Sequence, residues 1–233
     1  MTYSRSNPSP RFRDLLAQYR QMHRDGDARH GRSAAETFDG RSLPRQAPRI
    51  RAIVQKTGAR AILDYGCGKG TQYLPATVTE NGLPKWNSIQ EYWGVDSIAC
   101  YDPGYEPFSK LPEGKFHGVV CTDVLEHCPE EDLEWIVSEL FAYSTKFVFA
   151  NVACYPARKS LPNGENAHCS ILPVERWNEL FNSVAARFPG VLWEVWADVI
   201  RGERHVEVRQ GNFPPAAQPA PAAGARPPVW RLV

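Results

Sequence analysis

The stretch Ala61-Ile62-Leu63-Asp64-Tyr65-Gly66-Cys67-Gly68-Lys69-Gly70 decides how the rest of the chain is read. Its first five residues form a short apolar run interrupted only by Asp64, which predicts a buried strand rather than a helix. The three glycines that follow let the backbone take left-handed conformations and approach a ligand closely. A helix expected over Thr71 to Val78, shortened by Pro75, would add unpaired N–H groups at its start. The spacing is not that of a dinucleotide fingerprint, which needs a third glycine at the position of Thr71. Asp64 before the glycines would repel a pyrophosphate and attract a ligand ammonium or sulfonium. A tight strand–helix connection with no ligand is the plainer alternative.

Working outward, Glu91 to Asp96 is expected to be a second strand that ends in an acid able to take both hydroxyls of a ribose. Asn81 to Ser88, with Gly82 and Pro84, is expected to be a loop insertion before it. Gly118 to Thr122 and Lys146 to Ala153 are apolar runs that predict two more buried strands. Helices are expected over Arg11 to His23, over Arg49 to Thr57 with Gly58 as its stop, from Pro129 to about Tyr143, and over Val174 to Phe188. Val191 to Ile200 and His205 to Arg209 read as an antiparallel pair joined across Arg201-Gly202. Strands alternating with helices imply an α/β fold, a mostly parallel sheet with helices on both faces.

The chain has 233 residues, of which 42% are hydrophobic and 11% aromatic, enough for one domain with a real core. Residues 1–60 carry 13 Lys/Arg against 5 Asp/Glu, and the remainder is net acidic. A basic front on an acidic body suggests an anionic partner, an internal docking surface or a solvated arm. No run reaches the roughly 18 apolar residues that span a bilayer. The polar start, Met1 to Arg13, lacks the apolar core of a secretory signal. Cys67, Cys100, Cys121, Cys128, Cys154 and Cys169 include no C-x-x-C pair and read as reduced thiols of a cytoplasmic protein. Three segments follow: a helical front over 1–57, expected to cover an acceptor site; a core over 58–211; and a Pro/Ala-rich tail over 212–233, expected to be disordered.

Three blocks together carry a resemblance: ILDYGCGKG at 62–70, YWGVD at 92–96 and LPEGKFHGVVCTDVLEHC at 111–128. The chain resembles class I S-adenosylmethionine-dependent methyltransferases, in their small-molecule branch, over about residues 58–200. The resemblance implies a Rossmann-like sheet of seven strands, mostly parallel with an antiparallel edge strand, and S-adenosyl-L-methionine as cofactor. It implies that Asp64 and Gly66 meet the methionine end, that Gly68 and Gly70 shape the turn, that Asp96 binds the ribose, that Ser97 and Ile98 line the adenine, and that Asp123 opens the transfer face. The sequence departs from the family in the 32-residue gap from Asp64 to Asp96, in His117 where Asp is usual, and in the turn-rich 101–108 where a helix is usual.

The richest chemistry lies in Asp123-x-x-Glu126-His127 and, downstream, His168. Methyl transfer to a hydroxyl needs proximity and removal of a proton, and histidine suits the second task. Asp123, His127 and His168 are therefore the candidate catalytic residues; Glu126 and His127 as mere helix caps are the plainer reading. Asp123, Glu126, His127 and His168 are also similar to the set with which RNA 3′-terminal 2′-O-methyltransferases hold a divalent ion, so a metal is a second possibility and zinc a remote third. Acceptor contacts are expected from Tyr19, His23, Phe38, Arg41, Arg45, Tyr155, Arg158, Lys159, Asn163, Asn166 and His168. Core packing is expected of Trp177, Trp193 and Trp196. No N-P-P-[FYW] motif follows the 118–122 strand, which disfavours amino-directed methylation of DNA or protein. The favoured activity is methyl transfer to a hydroxyl, with an amine second, of a small or glycan-like anionic acceptor. A metal-dependent enzyme acting on an RNA end, a non-catalytic nucleotide-binding protein and a nicotinamide oxidoreductase are the alternatives.

Overall fold

The computed structural model describes residues 2–40, 42–80, 83–214 and 229–232. The chain opens with helix α1 (Pro10–Asp25), whose first turn is capped by Ser9 Oγ accepting the Phe12 N–H at 2.9 Å. Helix α2 (Leu43–Thr57) starts earlier than its pattern suggests, with Pro44 in the first turn, and ends at Gly58 in a left-handed conformation. Strand β1 (Ala61–Tyr65) follows, then the glycine turn, then hairpin strands β2 (Ala76–Glu80) and β3 (Leu83–Trp86). Next come α3 (Ile89–Trp93), β4 (Ser97–Tyr101), β5 (Phe116–Thr122), α4 (Glu130–Tyr143), β6 (Ser144–Ala153) and α5 (Val174–Ala185). Strands β7 (Leu192–Arg201), β8 (Arg204–Gly211) and β9 (Val229–Leu232) complete the chain.

The main sheet has the order β4-β1-β5-β6-β7-β8, with parallel neighbours from β4 to β7 and an antiparallel β8 at the edge. Among the described residues it holds six strands, not seven. Successive strand residues alternate between two cores, as a sheet covered on both faces requires. Leu63, Val119, Val148 and Val195 pack with Leu133, Ile136, Phe141, Trp177 and Phe181 of α4 and α5. Ile62, Val120, Phe147 and Phe149 pack with Leu43, Ile50, Tyr92 and Trp93 of α2 and α3. A third cluster joins Leu15 and Met22 of α1 to Leu161 and Ala167. Trp177 and Trp193 are buried in the first core, while Trp196 is half-buried under the Arg49 guanidinium. All six cysteines are unpaired, and no described helix is long and apolar enough to cross a membrane.

Between the glycine turn and β4 the structure departs from the sequence reading. The helix expected over 71–78 is a single 3-10 turn, Thr71–Tyr73, followed by β2. The run Ala-Thr-Val-Thr after Pro75 is β-branched and pairs instead of coiling. The expected loop over 81–88 contains β3, paired with β2. The second strand of the main sheet is Ser97–Tyr101, not 91–96. Residues 89–93 are helical because Ser88 Oγ accepts the Glu91 N–H at 3.1 Å, the Glu91 carboxylate accepts the Asn87 N–H at 2.7 Å, and Gly94 closes the turn at φ 71°. Ile89, Tyr92 and Trp93 then fall on one buried face. In the 212–233 stretch the described parts are packed: Phe213 is buried in the second core and Val229–Leu232 pairs antiparallel with β2. Residues 215–228, on which the expectation of disorder mainly fell, lie outside the described residues.

Candidate active site

A cavity of about 820 Å³ opens at the C-terminal ends of β1, β4 and β5. Its floor is the glycine turn. Gly66 and Cys67 donate their N–H groups to the Tyr101 carbonyl at 2.7 and 3.1 Å, which ties the turn to the end of β4. Gly68 sits at φ 59°, and a Cβ there would lie 2.5 Å from the Phe38 carbonyl oxygen. Only glycine combines that backbone with that approach. Gly66 and Gly68 line the cavity, whereas Gly70 lies outside the lining, against Phe108.

Asp64 lines the cavity and is almost fully buried. Its Oδ2 accepts from Tyr73 Oη at 2.7 Å and Gln72 Nε2 at 3.1 Å, while Oδ1 has no partner among the described residues. Burial pushes its pKa up to about 7, against the two hydrogen bonds that lower it. A buried carboxylate with one bare oxygen is a seat for a donor that the chain itself does not supply.

The acid at the end of the second sheet strand is Asp102, not Asp96. Asp96 precedes β4, and in the parallel register Ala61 pairs with Ser97 and Tyr65 with Tyr101. Asp96 and Ser97 therefore stand at the far end of the strand, about 15 Å from the glycine turn at ~3.3 Å per residue. Asp96 is exposed and forms a bidentate ion pair with Arg60, and Ile98 packs into the second core. His117 stands at that same far end, where its Nδ1 accepts the Arg60 and Ala61 N–H groups. Asp102 lines the cavity, accepting the Gly68 N–H at 2.9 Å and the Gly104 N–H at 2.8 Å. Burial raises its pKa to about 6. The missed signal was the Ser88-x-x-Glu91 capping box with Gly94, which marks residues 89–93 as helix and moves the strand downstream.

In the loop after β5, which packs on the glycine turn through Val124 and Gly66, the structure brings Asp123 and His127 together with His168: one potential ligand atom from each lies within 4.8 Å of the others. Asp123 follows β5 in a left-handed conformation, φ 60°, that side chains other than glycine seldom adopt. His127 Nδ1 lies 2.9 Å from the Ala167 carbonyl and His168 Nδ1 lies 2.6 Å from the Tyr155 carbonyl. A carbonyl only accepts, so each Nδ1 carries a proton, and the neutral form of either ring has its lone pair on Nε2. Burial, aided by His168, holds the His127 pKa down to about 4, against the pull of Asp123. Tyr19 from α1 donates its hydroxyl to the Ala167 carbonyl at 3.0 Å, its oxygen lies 2.8 Å from His127 Nδ1 and shares that N–H with the carbonyl, and its ring packs edge-on against His127.

Glu126 is not part of this group. It is fully buried, and its Oε1 accepts the Ala153 N–H at 2.7 Å. Its own carbonyl accepts the Cys169 and Ser170 N–H groups, so it ties the end of β6 to the segment that carries His168. Burial and the neighbouring Asp123 push its carboxyl pKa well above the usual range.

Of the expected acceptor contacts, Tyr19, His23, Phe38, Tyr155, Arg158, Lys159 and His168 line the cavity. Arg45 instead pairs with Asp198 and Glu207, Asn166 braces its own loop, Asn163 lies outside the lining, and Arg41 is outside the described residues. Arg5 and Arg32 line the cavity and were not anticipated. No family model, no curated protein and no solved structure matches the chain.

Proposed function

We propose that the protein is an S-adenosylmethionine-dependent methyltransferase that acts on a hydroxyl, or secondarily an amine, of a small acceptor. The observation that carries this reading is that two acids, Asp64 with its bare Oδ1 and Asp102, line one cavity with the glycine turn and with the grouped Asp123, His127 and His168. S-adenosylmethionine, when bound, supplies an electrophilic methyl group on a sulfonium. Asp64 Oδ1 would accept from the ammonium of its methionine part. Asp102, held by the Gly68 and Gly104 N–H groups, would accept ribose hydroxyls on its remaining lone pairs. Tyr19 and the rest of the α1 cover would exclude water from the transfer face. The Nε2 lone pair of His127 or His168 would take the acceptor proton, with Asp123 stabilising the imidazolium that results.

The test is calorimetry with S-adenosylhomocysteine and with NAD. Micromolar binding of the first and none of the second supports the reading. Failure of S-adenosylhomocysteine to bind, or tighter binding of NAD, removes it.

A second reading is favoured by the spacing of Asp123, His127 and His168: that the transfer is metal-dependent, as in enzymes that methylate the 2′-hydroxyl of an RNA end. The donor set fits a borderline divalent ion, since neither Nε2 atom has a hydrogen-bond partner among the described residues and both Nδ1 protons are oriented by carbonyls. The 4.8 Å spread compares with about 4.2 Å across a six-coordinate ion with ~2.1 Å bonds, so the group would have to tighten slightly. Binding of Mn²⁺, read by electron paramagnetic resonance and lost in His127→Ala, selects this reading over a proton-accepting histidine without metal.

A further inference from the structure

Besides the histidines, four basic side chains line the cavity: Arg5, Arg32, Arg158 and Lys159. Arg5 is paired with Glu139 beneath the site. The other three form no ion pair with a carboxylate among the described residues. Elsewhere the chain neutralises comparable groups, as Arg49 with Glu207 and Arg60 with Asp96. Lys159 is half-buried, its ammonium 5.3 Å from the centre of the Phe38 ring. Burial and the nearby Arg32 lower its pKa, while Asp123, Asp39 and Asp27 pull the other way without reversing the shift. Three cavity-lining cations, the exposed Arg32 and Arg158 and the half-buried Lys159, are thus left without a carboxylate ion pair among the described residues.

The support under these cations is rigid. The Lys159 carbonyl accepts the Ala167 N–H at 3.1 Å, and Ser160 bridges Asn166 across a tight turn. Asn166 Oδ1 accepts the N–H groups of both Ala157 and His168 at 2.9 Å. Leu161 and Ala167 are buried against Leu15 and Met22 of α1. Arg158 and Lys159 therefore ride on one side of a turn whose other side carries His168, so the backbone under the two cations is tied to the backbone that carries the imidazole.

We infer that Arg32, Arg158 and Lys159 form an anion subsite that holds a carboxylate or phosphate of the acceptor, placing a hydroxyl of the same small molecule at His127 and His168. The inference rests on the methyltransferase reading for the hydroxyl, but the anion subsite itself does not need it. Arginine forks suit the flat face of either oxyanion, and a half-buried ammonium adds a charge that water screens poorly.

The experiment titrates inorganic phosphate, and separately acetate, into the full chain saturated with S-adenosylhomocysteine, and also into the chain alone. Millimolar binding of at least one anion is expected, and the stronger of the two identifies the acceptor group. Arg158→Gln and Lys159→Gln should each weaken it by about tenfold or more, the range for a lost charged hydrogen bond. Lys159→Arg, which keeps the charge, should stay within about threefold, and Lys115→Gln, at the opposite end of β5, should have no effect. Undiminished S-adenosylhomocysteine binding certifies that each variant is folded. Absence of binding by both anions, or equal binding by the Arg158→Gln/Lys159→Gln double variant, overturns the subsite. If S-adenosylhomocysteine itself does not bind, the methyltransferase reading fails, and the titration of the chain alone still decides the subsite.

Discussion

Asp64 and Asp102 differ from ordinary surface acids because the fold withholds water from them. In the fold Asp64 stays uncharged up to about pH 7, whereas its ordinary value is 3.8. The folded chain therefore holds an extra proton between those two values, and stability falls as the pH rises through that window. Asp64→Asn removes the titration while keeping the shape. Differential scanning calorimetry of the ligand-free protein should find the variant a few degrees more stable than the parent at pH 8 and equal to it near pH 4. On the proposed function, Asp102→Ala should weaken S-adenosylhomocysteine by roughly 1.5–3 kcal/mol, the range for charged hydrogen bonds, while Asp96→Ala should leave it unchanged. Calorimetry giving the reverse order would return the ribose site to Asp96. For His127, whose pKa is held down to about 4, nitrogen NMR should show the neutral ring protonated at Nδ1 from pH 8 down to pH 5. A midpoint near 6.5 would mean that the ring is open to solvent.

Among the elements, the glycine turn and the short helix α3 respond to substitution for different reasons. Gly68→Ala would put a methyl group 2.5 Å from the Phe38 carbonyl in a left-handed backbone, a strain of about 2 kcal/mol or more. It should also abolish S-adenosylhomocysteine binding, because the Gly68 N–H holds Asp102. Ser88→Ala deletes a helix cap and should cost about 1 kcal/mol in urea unfolding with ligand affinity intact, since α3 leads into the end of β4 remote from the cavity. The contrast also explains why the sequence misplaced this region. Tyr92-Trp93-Gly94-Val95-Asp96 alternates too little to separate a strand from the last turn of a helix, and the apolar residues it contains are buried in either case. Capping chemistry at Ser88, Glu91 and Gly94 breaks the tie, and it does so only when read against the register of β1 with β4.

At the scale of the whole molecule, the basic front of the chain is an internal docking surface in part. Arg5 donates to the hydroxyls of Tyr101 at 2.9 Å and Tyr65 at 2.7 Å and pairs with Glu139, pinning the residues before α1 to the ends of β4 and β1. Arg49 pairs with Glu207 and stacks on Trp196 at 3.6 Å, joining α2 to the far edge of the sheet. Because Arg5 is partly exposed, its removal should be modest in stability, about 1–2 kcal/mol after solvent screening. It also lines the cavity, so its removal reaches the ligand site as well. Arg5→Ala is therefore expected to weaken S-adenosylhomocysteine several-fold, with increased amide exchange in α1. Unchanged exchange there would mean that α1 is held by its apolar face alone.

The α/β class, the strands at 61–65, 118–122 and 146–153, the helices of the second half and the antiparallel edge were legible from the chain alone. Each depends on a local period or a turn residue, and burial on both faces reinforces it. The grouping of Asp123 with His127 was legible too, because a few residues after one strand cannot travel far. What only the tertiary structure decided is that Asp102 holds the glycine turn in the cavity, that Glu126 turns into the core while His127 turns to the cavity, and that Arg32 and Lys159 line the same cavity. These depend on strand register and on contacts between segments distant in the chain, from 27 residues for Glu126 with Ala153 to 34 for Gly68 with Asp102. A side chain's direction across such a distance follows from packing, and nothing local in the sequence carries it.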